Sequence, residues 1–170
     1  MSNTSSPRRG FIELVEIRDA SASDAEALSH LLQELIAAGK RSTAGDPAFV
    51  LSHYIQHPDR LHCVLAVEID RKILGFQSLK RAHEGNPYDT PVGWGIIGTH
   101  IRPTAARNGI GSRLFTTTLS AAQQAGLPAI EAYIGERNMP ALAFYEALGF
   151  RECRRSEGII CKAFKLRGAG

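Results

Sequence analysis

The stretch Ala106-Arg107-Asn108-Gly109-Ile110-Gly111-Ser112 has the residue types of an anion-binding turn. Gly109 and Gly111 sit two apart, after an apolar run that ends at Pro103, and they open a helix-like segment. A helix N-terminus offers unpaired backbone N–H groups and the positive end of the helix dipole. Glycines there let a phosphate come close to the backbone. Asn108, Gly109, Ile110, Gly111 and Ser112 would supply the N–H groups, and Arg107 a guanidinium suited to phosphate. The same glycines also fit a plain strand–turn–helix, and on these residues alone both readings stand. The turn lacks the third glycine of a dinucleotide site and the Lys-Ser/Thr of a P-loop, so a nucleoside triphosphate is not expected.

Periodicity supplies the elements that must hold this turn. Leu14 to Arg18 reads as a short strand, and Ser23 with Glu26 as a capping box. Leu28, Leu31, Leu32 and Leu35 then recur at helical spacing, with Gly39 as a stop. Asp46-Pro47 starts a second helix carrying Val50, Leu51, Tyr54 and Ile55, and His57-Pro58 ends it. Strands follow over 61–69 and 73–79, joined at Asp70-Arg71-Lys72; 82–91 is a loop, and Val92 to Ile101 the next strand. Residues 109–125 are helical and stop at Gly126, and Ala129 to Ile134 is a strand. Asn138 caps a further helix with Pro140 in its first turn and Ala141, Phe144, Tyr145 and Leu148 on one stripe, ended by Gly149. Strands over 150–155 and 159–166 complete the chain. The order β-α-α-β-β-β-α-β-α-β-β specifies a mixed α/β fold with helices flanking a central sheet.

Composition bounds the class. A chain of 170 residues with 44% hydrophobic and 22% charged residues suits one globular domain, expected over 11–170 after a polar, disordered lead at 1–10. The net charge of +3 is scattered, with no Lys/Arg block longer than two, which argues against a nucleic-acid partner. No apolar run approaches membrane-spanning length, and the N-terminus lacks the apolar core of a signal peptide. Cys63, Cys153 and Cys161 are scattered and odd in number, so no disulfide framework is expected and a cytoplasmic setting is the default. His53, His57 and His62 fall on different elements without an HExxH pattern, and no metal is expected.

Two motifs in order resemble the GNAT acetyltransferase superfamily. They are Ile101-Arg102-Pro103 with the turn Ala106 to Gly111, and Asn138 to Phe150, which reads N-x-x-A-x-x-F-Y-x-x-x-G-F. The resemblance follows the element order from Leu14 to about Leu166 and is specific over residues 96–150. It implies a mixed, mostly antiparallel central sheet flanked by helices. It implies that the anion is the pyrophosphate of acetyl-CoA, and that the pantetheine arm lies along Thr99, His100 and Ile101 like an added strand. The family pattern has Gln or Arg where this chain has Ala106, with the arginine one place later. Which phosphate Arg107 reaches is therefore open, while a turn held by backbone N–H groups should still bind.

The implied reaction moves an acetyl group from the thioester to the amine of a small molecule, with an amino-acid-like acceptor among the candidates. Tyr145 resembles the family's tyrosine acid, which protonates the leaving thiolate; its other role is core packing. Asn138 resembles the residue that reaches the pantetheine and also suits a helix cap. The strand over 92–101 has no carboxylate, which leaves His100 as its titratable candidate base beside a structural role; Glu131 and Glu136 are further candidates. Trp94, Tyr54, Tyr88 and His83 are candidate acceptor-pocket residues, shaped by Lys40 to Asp59 and the loop over 82–91. A catalytically silent acyl-CoA-binding regulator and a protein N-acetyltransferase are the alternatives. Relatives include homodimers, although no residue here demands one.

Overall fold

The computed structural model describes residues 14–167; the lead expected over 1–10 lies outside them. Strand β1 (Val15–Asp19) passes through a 3-10 turn (Ala22–Asp24) into α1 (Ala25–Ala37), which buries Leu28, Leu31, Leu32 and Leu35. The expected Ser23–Glu26 box is replaced by one two residues earlier. The Asp24 carboxylate accepts from the Ser21 amide at 2.8 Å and from both terminal nitrogens of Arg18. This carboxylate sits where it can join the cap to β1, and Arg18 holds its pKa below the usual range, ahead of an opposing desolvation.

Asp46 caps α2 (Pro47–Val50) by accepting from the Phe49 amide at 2.9 Å, and a π-helical turn (Leu51–Ile55) continues it. Strands β2 (Arg60–Glu68) and β3 (Ile73–Arg81) form a hairpin. Both faces of β2 are buried: Cys63, Leu65 and Val67 under α1 and α2, Val64 and Ala66 with residues of α3 (Ile110–Gln124). Strand β4 (Gly95–Ile101) begins three residues later than its sequence suggests. Apolar Val92 and Trp94 read as extended chain, but Gly93 takes φ +88° and the Trp94 amide closes a turn onto the Pro91 carbonyl.

Helix α3 returns the chain to β5 (Ala129–Gly135), parallel to β4, as a helical crossover allows. Helix α4 (Met139–Leu148) and strands β6 (Arg151–Ser156) and β7 (Ile159–Lys165) follow. The seven strands run β1-β2-β3-β4-β5-β7-β6, antiparallel except for β4–β5. One face packs α1 and α2 around Leu65, Tyr54 and Phe76; the other packs α3 and α4 around Ile130, Phe115 and Phe150. Among the described residues no helix is long and apolar enough to cross a membrane.

One irregularity matters most. The β4–β5 register runs from Gly95–Ile130 to Ile97–Ala132 and stops there. Gly98–Ile101 stay paired to β3, while Tyr133–Gly135 stay paired to β7. The sheet therefore opens between β4 and β5, and each strand presents unpaired backbone groups to the gap.

Candidate active site

The turn after β4 is anchored by Arg102. Its amide donates to the Leu74 carbonyl at 2.7 Å, its Nε to the Ile73 carbonyl at 3.0 Å, and its Nη1 pairs with Glu34 of α1. A short 3-10 turn (Pro103–Ala105) follows, and the chain then takes left-handed φ at Arg107 (+65°) and Gly109 (+77°). Alternating left-handed residues turn successive N–H groups toward one concavity. Gly109 is the N-cap of α3; it brings no side-chain cap, and the first turn holds no acid. The amides of Ile110, Gly111 and Ser112 therefore meet no acceptor from their own helix. Arg107 and Ser112 are exposed beside them.

Gly111 has a different reason to be glycine. A Cβ there would run into the Phe144 ring, so a bare backbone is needed for α4 to pack on α3 as it does. Gly109 answers to φ, Gly111 to a ring.

Tyr145, Thr99 and Gln77 meet on the α3/α4 side of the gap. The Tyr145 hydroxyl donates to Thr99 Oγ1 at 2.9 Å, and Gln77 Nε2 donates to the same oxygen at 2.9 Å. Thr99 lies on the strand stretch that β5 no longer pairs, and Gln77 is its register partner on β3. The Tyr145 ring is buried against Phe150 and Phe144. Burial pushes the phenol up to about 12, against the lowering effect of its bond to Thr99. The hydroxyl is thus a neutral acid at physiological pH. Asn138 caps α4, its Oδ1 accepting from the Ala141 amide at 3.2 Å.

His100 lies on the other side of the sheet from Thr99, as strand alternation requires. Its ring packs between Phe76 (centroids 4.6 Å apart) and Tyr54 (5.3 Å), and its buried Nε2 has no partner among the described residues. Burial first, then Arg41 and His53, push it down to about 3. A neutral, weakly basic imidazole is a poor proton acceptor for an amine at neutral pH. Glu131 is engaged elsewhere: almost fully buried, its carboxylate accepts from Arg154 and from Thr90 Oγ1. Arg154 also donates to the Tyr88 carbonyl, so this pair fastens the 82–94 loop to the sheet. Glu136 is exposed in the turn after β5.

Of the aromatic candidates, Tyr54 and Tyr88 border the gap. Tyr54 stands against His100, and Tyr88 against Tyr133 of β5 at 5.2 Å. Trp94 lies beside the paired end of β4, under Lys165 Nζ at 4.0 Å, and His83 is paired with Asp59. His53, on the π-helical turn, and His57, just after it, are neighbours, whereas His62 lies on β2.

An uncapped, glycine-led helix N-terminus at the end of a strand that splays from its parallel neighbour is the geometry the sequence motifs imply. Comparison with known proteins agrees: the model of the acetyltransferase (GNAT) family matches residues 27–150. The chain belongs to the GNAT acetyltransferase family. Phosphinothricin N-acetyltransferase of Streptomyces viridochromogenes is 27% identical over 140 residues, covering 80% of this chain and 74% of that one. Mycothiol acetyltransferase of Thermomonospora curvata is 34% identical over 83 residues, covering 49% of this chain. This GNAT chain spans only about a quarter (26%) of that relative's length. The Salmonella typhimurium protein yncA, solved with its cofactor acetyl-CoA, shares the fold at a TM-score of 0.69 and 16% identity, covering 91% of this chain and 95% of that one.

The GNAT motifs marked Tyr145, Asn138 and the glycine turn, but not Gln77 or Arg41. Gln77 carried one weak signal, a polar residue inside the run Ile73-Leu74-Gly75-Phe76-Gln77-Ser78-Leu79. Arg41 carried none, because the side chains it meets, Phe49 and Tyr54, lie on other elements.

Proposed function

We propose that the protein transfers the acetyl group of acetyl-CoA directly to the amine of a small molecule. The observation that carries this reading is the hydrogen bond from Tyr145 to Thr99 at the unpaired end of β4, one short turn before the open N-terminus of α3. Acetyl-CoA supplies an activated acetyl thioester. The amides of Asn108 to Ser112 hold its pyrophosphate, with Arg107 adding charge from the exposed side. The unpaired edge of Thr99, His100 and Ile101 hydrogen-bonds the pantetheine amides as a neighbouring strand would, near Asn138 at the start of α4.

The amine lone pair attacks the thioester carbonyl carbon, a C–N bond forms, the C–S bond breaks, and the ammonium proton leaves to solvent. Tyr145 gives its hydroxyl proton to the departing sulfur, and the phenolate takes a proton back from solvent. Its phenol is suited to this by burial, which keeps it protonated, and by Thr99, which aims it. Gln77 holds Thr99 in turn. The His100 side chain takes no proton in this scheme.

The test is calorimetry with CoA, followed by free-thiol release from acetyl-CoA with a panel of small amines. CoA binding together with amine-dependent thiol release is the expected result. CoA binding without release for any amine would leave a silent binder, and absence of CoA binding would overturn the reading altogether.

A further inference from the structure

The α1/α2 side of the gap has a chemistry that the acetyl donor does not use. Its floor is Gly98, where a Cβ would lie 3.1 Å from Ser78 Oγ and 3.5 Å from His100 Nε2. The missing side chain leaves bare backbone beneath a buried ring nitrogen that has no partner among the described residues. Tyr54 and His100 stand on the β4 side, Tyr88 and Tyr133 on the β5 side.

Two cations border this floor. Arg41, on the segment joining α1 to α2, donates to Tyr54 Oη at 3.3 Å and to the Thr43 and Ala44 carbonyls, with its guanidinium 5.8 Å from the Phe49 ring. Lys80 Nζ lies 5.7 Å from the centre of the Tyr54 ring. Neither has a carboxylate at ion-pair distance among the described residues; the nearest acid to Lys80, Asp59, is paired with His83 and His57. Burial raises the phenols of Tyr54 and Tyr88, and the charge of Arg41 opposes the rise at both. Two partly buried cations without counter-ions are costly, and an anion placed between them would relieve that cost.

We propose that this side of the gap is the acceptor site and that it selects amines carrying a carboxylate, held by Arg41 with Lys80 in support, with the amine over Gly98 beside His100 Nε2. The proposal rests on the acetyl-transfer reading above and specifies its acceptor. Nε and Nη2 of Arg41 are held by the Thr43 and Ala44 carbonyls and by Tyr54 Oη, which fixes the guanidinium and leaves Nη1 to donate to a carboxylate.

The test measures kcat/KM with acetyl-CoA for each of a set of L-amino acids against its own carboxamide. The expected result is a preference of at least about tenfold for the best free acid, although the amide holds more unprotonated amine at neutral pH. Arg41→Gln should reduce that preference to about threefold or less through KM, while CoA affinity by calorimetry stays constant. Arg41→Lys should restore part of it. Equal use of acid and amide by the parent, or an undiminished preference in a folded Arg41→Gln protein, would overturn the assignment. Turnover with only neutral or cationic amines would also overturn it and leave the acetyl-transfer reading intact. Failure to bind CoA would instead overturn that earlier reading.

Discussion

On the α3/α4 side of the β4–β5 gap, Tyr145, Thr99 and Gln77 form a neutral chain of hydrogen bonds next to an uncapped helix. On the α1/α2 side, Arg41 and Lys80 flank Tyr54 above a bare glycine, and a buried imidazole nitrogen lacks a partner among the described residues. The first side is polar but uncharged: Tyr145 and Gln77 both donate to Thr99, while the buried Gln77 Oε1 has no partner among the described residues. The second holds cations that its own residues do not neutralise. A protein that grips one fixed co-substrate and one variable acceptor can use such a division: backbone donors and a neutral acid where the chemistry is constant, unpaired charge where selection occurs.

The largest expected effect tests the neutral side. Tyr145→Phe keeps the ring and removes the acid, so kcat should fall about 100-fold, the lower end for acid assistance. CoA affinity should hold, and stability should fall by only about 1 kcal/mol for the lost bond to Thr99. Full turnover in the variant would reduce Tyr145 to packing.

Next come two residues of one turn that the sequence presents alike. Gly111→Ala drives a methyl toward Phe144 and should cost roughly 1–3 kcal/mol of stability, read by denaturant titration. Ser112→Asp should leave the melting temperature unchanged or slightly raised, because an acid in the first turn favours the helix dipole. It should still weaken CoA at least about tenfold, or about 1.4 kcal/mol, by placing like charge beside the pyrophosphate. Equal CoA affinity in Ser112→Asp would show that the anion lies elsewhere.

That contrast also shows what could be read in advance. Repeating leucines, glycine stops and an Asn-capped helix are local, so α1, α3 and α4 follow from their own residues. The start of β4 was misplaced because Val92 and Trp94 have strand-forming side chains, whereas Gly93 decides the backbone. The second demand on Gly111, room for Phe144, is silent in its own segment because that ring lies 33 residues further on. The Tyr145–Thr99 bond joins residues 46 apart, and the contacts among Arg41, Tyr54, Lys80 and His100, and between Tyr88 and Tyr133, join separate segments. No periodicity encodes such meetings.

The smallest expected effect sharpens the charged side. Burial lowers Lys80 to about 8, with Asp59 opposing. The folded state thus carries a penalty that is complete below pH 8. It fades between pH 8 and 10.5, where the unfolded chain holds the proton more tightly, so stability rises with pH across that window. Lys80→Met should remove it and stabilise the protein by about 1 kcal/mol at pH 7 after allowance for solvent screening, with the gain vanishing toward pH 10.5. A pH-independent gain would assign the effect to packing.

The break in pairing between β4 and β5 also has a mechanical side. Gly95–Ile97 against Ile130–Ala132 is the whole ladder joining β1–β4 to β5–β7. Such a seam is where a sub-global opening can run at less than the cost of unfolding the molecule. Amides of residues 98–101 that point away from β3 should exchange with deuterium faster than those of the β2–β3 hairpin. A ligand lying across both lips of the seam would lock the two slabs together, adding about 2.7 kcal/mol at a hundredfold excess over its Kd. The acyl donor would then be a rivet as well as a reagent, and the empty enzyme a hinged plate.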